Sequence, residues 1–452
     1  MRSPHRRHCL AGALLAALSS AAAANPPPPP LQQFTLDNGL RVYLREDHRA
    51  PLAVSQLWYH VGSSYEPPGQ SGLSHALEHL MFEGSSKIAP GQYSRILSRL
   101  GAEENAFTLD DATVFHQTLP VSRLEVALEA MADAMGSARL GEAEFDREIA
   151  VVMAERLTHH DDDPFVLTRE RSQAVAYSQS SYRTPTIGYR HDLERMTVND
   201  LRNWHQAWFH PNNATLVIVG DITLSQLRPL VERQFAALRK AELPASRVPR
   251  ELDPPGERRL KVTLPGLNEG VSMRFNTPSL ATAESPAPAY ALSLLPHLLT
   301  EGVSSRLTRK LAREEELLTY ISSDYSAYQR GDSLFSLHAF PNAEKQISLR
   351  QAEDAIWNLI EDLRQSPPSA QELQRAKARL TSSIVFERDS MDRQADAIGI
   401  FSASGLDPTL LDTEIREVQK VSALQIQGVV RDYLTRERLT VTYMHDKERT
   451  HE

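Results

Sequence analysis

The chain has 452 residues, of which 41% are apolar and 24% charged, with a formal net charge of −9 and one cysteine. That length exceeds one ordinary core and points to two domains or more, and the apolar share excludes a disordered chain. The acidic balance, without long Lys/Arg runs, argues against nucleic acid as a partner.

Arg2, Arg6 and Arg7 precede a short apolar run at residues 10–18 and small residues ending at Ala22-Ala23-Ala24. A basic start, a short apolar block and an A-x-A site read as a secretory signal peptide over residues 1–24, or as an uncleaved anchor. The block falls short of a membrane-spanning helix of roughly 20 residues, and nothing after it is apolar enough to cross a bilayer. Cys9 follows Arg6-Arg7-His8, not the small apolar residues of a lipoprotein site. Cleavage after Ala24 removes three Arg and the only cysteine, taking the charge from −9 to −12. The exported chain then has no disulfide, and a zinc site in it has to use His and carboxylate ligands. The periplasm is the expected location. A mitochondrial address fits less well, because the leader is an apolar block and not an amphipathic Arg/Ser-rich helix.

Residues 25–32 are a Pro-rich tether in extended polyproline form. Folded structure is expected from Phe34 onward. A hairpin over 34–46 turns at Asp37-Asn38-Gly39, and a strand over 53–59 leads to a helix over 71–82. A strand over 114–119, helices over 124–139 and 142–158, and an apolar strand over 214–219 complete the first unit. Residues 241–256 hold Pro244, Pro249, Pro254 and Pro255 and read as a linker between domains at 33–240 and 257–448. The second domain reads as a faded copy of the first. Residues 73–80 match 291–298 at a shift of 218, with Ser293 in place of His75 and Pro296 in place of Glu78. One long duplication fits two related domains, not a solenoid.

The informative motif is His75-Ala76-Leu77-Glu78-His79. On a helix, positions i, i+3 and i+4 share a face, so both imidazoles and the carboxylate stand together while Leu73, Leu77 and Leu80 bury the opposite side. Two imidazoles one turn apart suit zinc, and a carboxylate left off the metal can take a proton from water. The bland alternative is a polar helix surface. Two histidines leave zinc short of a third protein ligand, and Glu148 and Glu155, seven residues apart on one helix face, are the candidates. The apolar run between them is expected to be buried on most sides, where an ionised Glu needs a cation. Pairing with Arg147 or Arg156 is the competing account. His159-His160-Asp161-Asp162-Asp163 reads as a solvated loop before Pro164, and His116 as a packed or exposed strand residue. No G-x-S-x-G elbow, P-loop or Rossmann glycine pattern occurs.

These residues resemble the pitrilysin/insulinase (M16) family, and closely its short two-domain branch that includes mitochondrial processing peptidase and bacterial processing-peptidase-like proteins. Beside the motif at 75–79, the resemblance is carried by Glu148 and Glu155, by Leu36-Asp37-Asn38-Gly39-Leu40, by Gly62-Ser63-Ser64-Tyr65-Glu66, by Asn105-Ala106-Phe107-Thr108 and by Val219-Gly220-Asp221. It implies His75, His79 and Glu155 as ligands of one Zn2+ per chain, Glu78 as general base, and Glu148 as a supporting acid. Asn105, Ala106, Phe107 and Thr108 then form an edge strand that pairs with substrate backbone, although Asn105 alone reads as a turn or cap residue. Arg313 and Tyr320, which by themselves read as a helix-surface Arg and a buried Tyr, match a pair that assists the reaction from a facing domain.

In the short branch that domain usually belongs to another subunit, which implies a homodimer or pairing with a related subunit. The fold expected from element order and resemblance is α+β, with two homologous domains, each a mainly antiparallel sheet packed with helices. The expected function is a zinc endopeptidase acting on peptides or unfolded polypeptide. A non-catalytic binding or assembly subunit, and a purely structural zinc site, are the alternatives.

Overall fold

Two sheets organise residues 29–447, the part of the chain that the computed structural model describes. The expected signal peptide and the first half of the tether, residues 25–28, lie outside the described residues. The first sheet takes β1 (Gln32–Thr35), β2 (Arg41–Glu46), β3 (Leu52–Tyr59), β4 (Glu103–Thr108), β5 (Thr113–Pro120) and β6 (Ala214–Gly220) in the order β1-β2-β6-β3-β5-β4. The second takes β7 (Arg258–Leu264), β8 (Gly270–Thr277), β9 (Leu318–Tyr325), β10 (Ser333–Pro341) and β11 (Leu439–Asp446) in the order β7-β11-β8-β10-β9.

Apart from the extra β1, the two orders are the same. In each, one pair is parallel (β2 with β6, β7 with β11) and the remaining pairs are antiparallel. The helices Leu73–Met81 and Pro286–Leu299 occupy the same slot, between the second and third strands of that shared pattern. The duplication read from residues 73–80 and 291–298 thus has its counterpart in topology.

The β1–β2 hairpin turns where expected. Gly39 sits at φ +92°, and a Cβ there would meet the Asn212 Cβ at 2.7 Å, so the position needs glycine on both counts.

Every residue of β6 is buried, as an unbroken apolar strand covered on both faces requires. Leu216 and Ile218 point into the core beneath the first half's own helices, and Val217 and Val219 point the other way. The cover on that second face comes from beyond the linker. The helix Met391–Ala403 lies across β6 and β3, packing Ala395, Ile398 and Phe401 against Val54, Trp58, Val217 and Val219. In return, the helix Pro164–Ala176 lies across β11 and β7. Polar bonds pin both crossings: Thr215 with Ser402 at 2.8 Å, Gln56 to Asp396 at 2.9 Å, Thr442 to Ser172 at 2.8 Å and Asn276 to the Ala176 carbonyl at 2.9 Å. The strands divide at the linker, whereas these two helices are exchanged across it.

The helix Glu142–Arg156 departs from expectation. It buries Phe145, Val152 and Arg156, but Ala150, Val151 and Ala154 are exposed. One side alone packs, on the Leu73–Met81 helix and on Ile187 and Leu193. The apolar run therefore serves one buried face and leaves its small residues to solvent.

Candidate metal centre and its cavity

The helix Leu73–Met81 is fixed from both ends. Leu73, Ala76, Leu77 and Leu80 anchor it in the core. Gly72 at its start has φ +90°, and a Cβ there would strike Leu193 at 2.7 Å and the Ile187 carbonyl at 2.8 Å. The Glu66 carboxylate accepts from the backbone N–H groups of Gly72 and Ser74, both at 2.7 Å, at the positive end of the helix dipole. Burial pushes the Glu66 carboxyl up to about 8, and those N–H donors oppose the shift. The Trp204 indole N–H donates to Ser74 Oγ at 3.2 Å.

This placement leaves His75, Glu78 and His79 on the cavity side. The imidazoles lie 4.9 Å apart between ring centres. From the neighbouring helix, Glu155 Oε2 stands 3.7 Å from His75 Nε2 and 3.5 Å from His79 Nε2, and one donor atom from each of the three lies within 4.8 Å of the others. Tetrahedral zinc with bonds of about 2.0–2.1 Å sets its donors roughly 3.4 Å apart, so the trio fits that ion. Burial, with His79 and His160 nearby, lowers His75 to about 3, which keeps its imidazole neutral as a ligand must be. Glu148 Oε2 sits 3.3 Å from His79 Nδ1, turning the opposite nitrogen toward the centre. Glu148→Ala is expected to weaken zinc binding by about 10- to 100-fold with the fold retained. Competition against a chromophoric chelator, beside a circular dichroism spectrum, checks this.

The rival account of the two acids does not hold. Arg147 pairs with Glu83 at 2.8 Å, and Arg156 with Glu170 at 2.8 Å and Asp161 at 3.1 Å. Glu78 is buried and accepts from Thr108 Oγ1 at 2.6 Å. Burial raises its carboxyl to about 7, against the pull of Thr108 and His79, which suits proton transfer near neutrality.

Thr108 belongs to β4, which ends the first sheet with one edge unpaired among the described strands. Ala106 packs on the core beneath the metal-site helix, while Phe107 turns the other way, edge-on to Trp58 at 5.8 Å. Asn105 is exposed, and its Oδ1 accepts from the Ala106 N–H at 2.9 Å. All four of Asn105, Ala106, Phe107 and Thr108 line a cavity of about 810 Å³ that also holds His75, Glu78, His79, Glu148 and Glu155.

Two expectations need correction. Residues 159–163 are not a plain solvated loop: Leu157–Asp161 is a π-helical turn, and Asp163 caps the following helix by accepting from Phe165 N (2.9 Å) and Val166 N (3.1 Å). His160 within it borders the cavity, with a buried Nδ1 that has no hydrogen-bond partner among the described residues. Pro164 after Asp163 was the available signal, an N-cap followed by a first-turn proline.

Tyr320 is not buried. It lies on β9, 53% exposed, beside Phe340. Arg313 and Tyr320 do not line the cavity of their own chain, which the resemblance did not require. Arg313 is exposed on the π-helical turn Thr308–Glu314, and every residue lining the cavity precedes residue 188. His116, on β5 opposite Asn105, is likewise outside it. His160, Asp110, Arg169, Glu170 and Arg183 also line the cavity, and apart from His160, whose cluster read as a loop, they carried no signal of their own in the sequence.

Comparison with known proteins bears on the fold and the family. Residues 41–188 match the family described as insulinase (peptidase family M16), and residues 195–380 match the one described as the peptidase M16 inactive domain. The zinc protease PqqE of Helicobacter pylori is 28% identical over 397 residues, covering 87% of each chain. A protease from Helicobacter pylori of known crystal structure superposes with a TM-score of 0.85 at 26% identity, covering 92% of this chain and 100% of that one. A peptidase M16 inactive domain from Pseudomonas fluorescens gives a TM-score of 0.80 at 18% identity, over 92% and 98%. Two successive domain matches on a duplicated two-sheet fold have one reading: the chain belongs to peptidase family M16.

Proposed function

We propose that the protein is a zinc-dependent endopeptidase that cleaves peptides or unfolded segments. The observation that carries this is the convergence of His75, His79 and Glu155 on one point, with the buried Glu78 carboxyl beside it and bonded to none of them. When bound, zinc supplies a Lewis acid that acidifies water and polarises a carbonyl. Glu78 takes the proton of the attacking water and returns it to the leaving amine nitrogen. Glu148 holds His79 in register, and the free edge of β4 receives the substrate as an added strand, bringing one carbonyl to the centre.

The relatives' name of zinc protease supports this reading. The inactive label attaches to residues 195–380, within which Ser293 and Pro296 stand at the positions of His75 and Glu78 and which exclude the residues of the candidate metal centre. Arg313 and Tyr320 are assigned to the cavity of a second copy or of a related subunit. The leader at residues 1–24 assigns the protein to the periplasm.

The test is zinc content together with turnover of an unstructured, quenched-fluorescence peptide library. About one zinc per chain, and cleavage lost on chelation and restored by zinc, are expected. A zinc-loaded protein that cuts nothing would favour the binding-subunit alternative, and chelator-insensitive cleavage would remove the metal from the reaction.

A further inference from the structure

The cavity wall formed by the helix Pro164–Ala176 presents Val166, Arg169, Glu170 and Gln173, spaced three or four residues apart on one face. Carboxylates reach this cavity in number, but each is already engaged. Glu170 receives Arg156 at 2.8 and 3.1 Å, Glu83 receives Arg147 at 2.8 Å, and Asp110 accepts from the Ser63 hydroxyl at 2.9 Å. Glu78 is held by Thr108, Glu148 by His79, and Glu155 faces the two imidazoles.

The two guanidinium groups on the cavity differ from these acids. Among the described residues neither Arg169 nor Arg183 forms an ion pair, and both are exposed. The side chain of Arg183 reaches the Ser178 carbonyl, at 3.3 Å. Asp110 and Asp324 feel the charge of Arg169 without bonding to it. Glu170 and Glu83 are thus neutralised by arginines and three acids belong to the metal centre, which leaves Asp110, held by a hydroxyl, as the one lining carboxylate outside these groups, against two guanidinium groups without an ion pair.

We infer that the cavity selects peptides with an acidic side chain near the scissile bond, taken up by Arg169 and Arg183. This deepens the peptidase reading and rests on it. A guanidinium meets a carboxylate with two parallel N–H···O bonds, whereas a lysine or arginine of a substrate finds only acids already committed and two like charges.

The test uses matched peptides with Glu, Gln or Lys scanned through the positions around one cleavage site, with two readouts. One is kcat/KM of the zinc-loaded enzyme. The other is affinity for zinc-loaded Glu78→Gln, read by fluorescence anisotropy without turnover. A preference for Glu over Lys on the order of tenfold is expected in both, shrinking at high salt and reversing in Arg169→Glu/Arg183→Glu. If that double variant fails to fold, Arg169→Gln/Arg183→Gln is expected to abolish the preference instead. Equal handling of Glu and Lys peptides by the parent protein, absence of binding, or an unchanged ratio in a folded variant would overturn the inference. Preferential binding of Glu peptides with no cleavage of any would sustain it while removing the peptidase reading.

Discussion

Glu78→Gln is expected to keep its zinc and lose turnover by a factor on the order of 10²–10⁴, the range set by removing a general acid–base group. The amide has the shape of the carboxylate and can still accept from Thr108 Oγ1, which donates to Glu78 at 2.6 Å. It cannot take up a proton at neutral pH. The three convergent donors are untouched, because Glu78 is not one of them. Zinc content by atomic emission and kcat on an unstructured peptide separate the two effects. A variant that retains more than about a tenth of wild-type turnover would sink the base assignment. One that lost its zinc would show instead that the carboxylate helps to hold the ion.

Gly399→Ala is expected to destabilise the whole chain by roughly 3 kcal/mol, the upper end of the usual cost of overpacking a core. Gly399 lies where the Met391–Ala403 helix presses on the first sheet, and an added Cβ would stand 1.9 Å from Cε2 of Trp58. The indole cannot give way. It is fully buried, its N–H donates to Gln56 at 2.8 Å, and Gln56 in turn bonds Asp396 on the same helix. The helix has to lift instead, uncovering Val217 and Val219. Gly428→Ala is the control, since that glycine is also helical but has nothing within 4 Å of the added carbon. It is expected to gain up to about 1 kcal/mol. Urea unfolding of the two variants measures both, and a Gly399→Ala midpoint equal to wild type would refute the packing argument.

The contrast between what the residues announced and what they hid has a physical pattern. The order of the strands in either sheet was not legible, whereas the first half's strands near residues 34–46, 53–59, 114–119 and 214–219, the Gly39 turn and the polar face of the metal-site helix follow from local pattern and were. So was the pairing of Glu148 with Glu155, because seven residues of helix return to the same face. The exchanged helices were not, since nothing in residues 164–176 or 391–403 tells an amphipathic segment which sheet will receive its apolar side. Residues 159–163 misled because composition alone reports solvation, while Arg156 reaches forward to Asp161 and Glu170 only once the chain has turned. Tyr320 misled in the opposite sense: an aromatic side chain is usually covered, but β9 ends its sheet and leaves the ring out.

The unpaired margin of β4 sets a condition that no side chain states. A guest docking there must bring main-chain amides not yet spent on its own helices or sheets, so a finished domain has little to offer it. On the proposed peptidase reading, admission to the cavity is then decided by the guest's state of folding before any residue type is read, and a nascent, damaged or unravelled segment qualifies where the same stretch, once folded, does not.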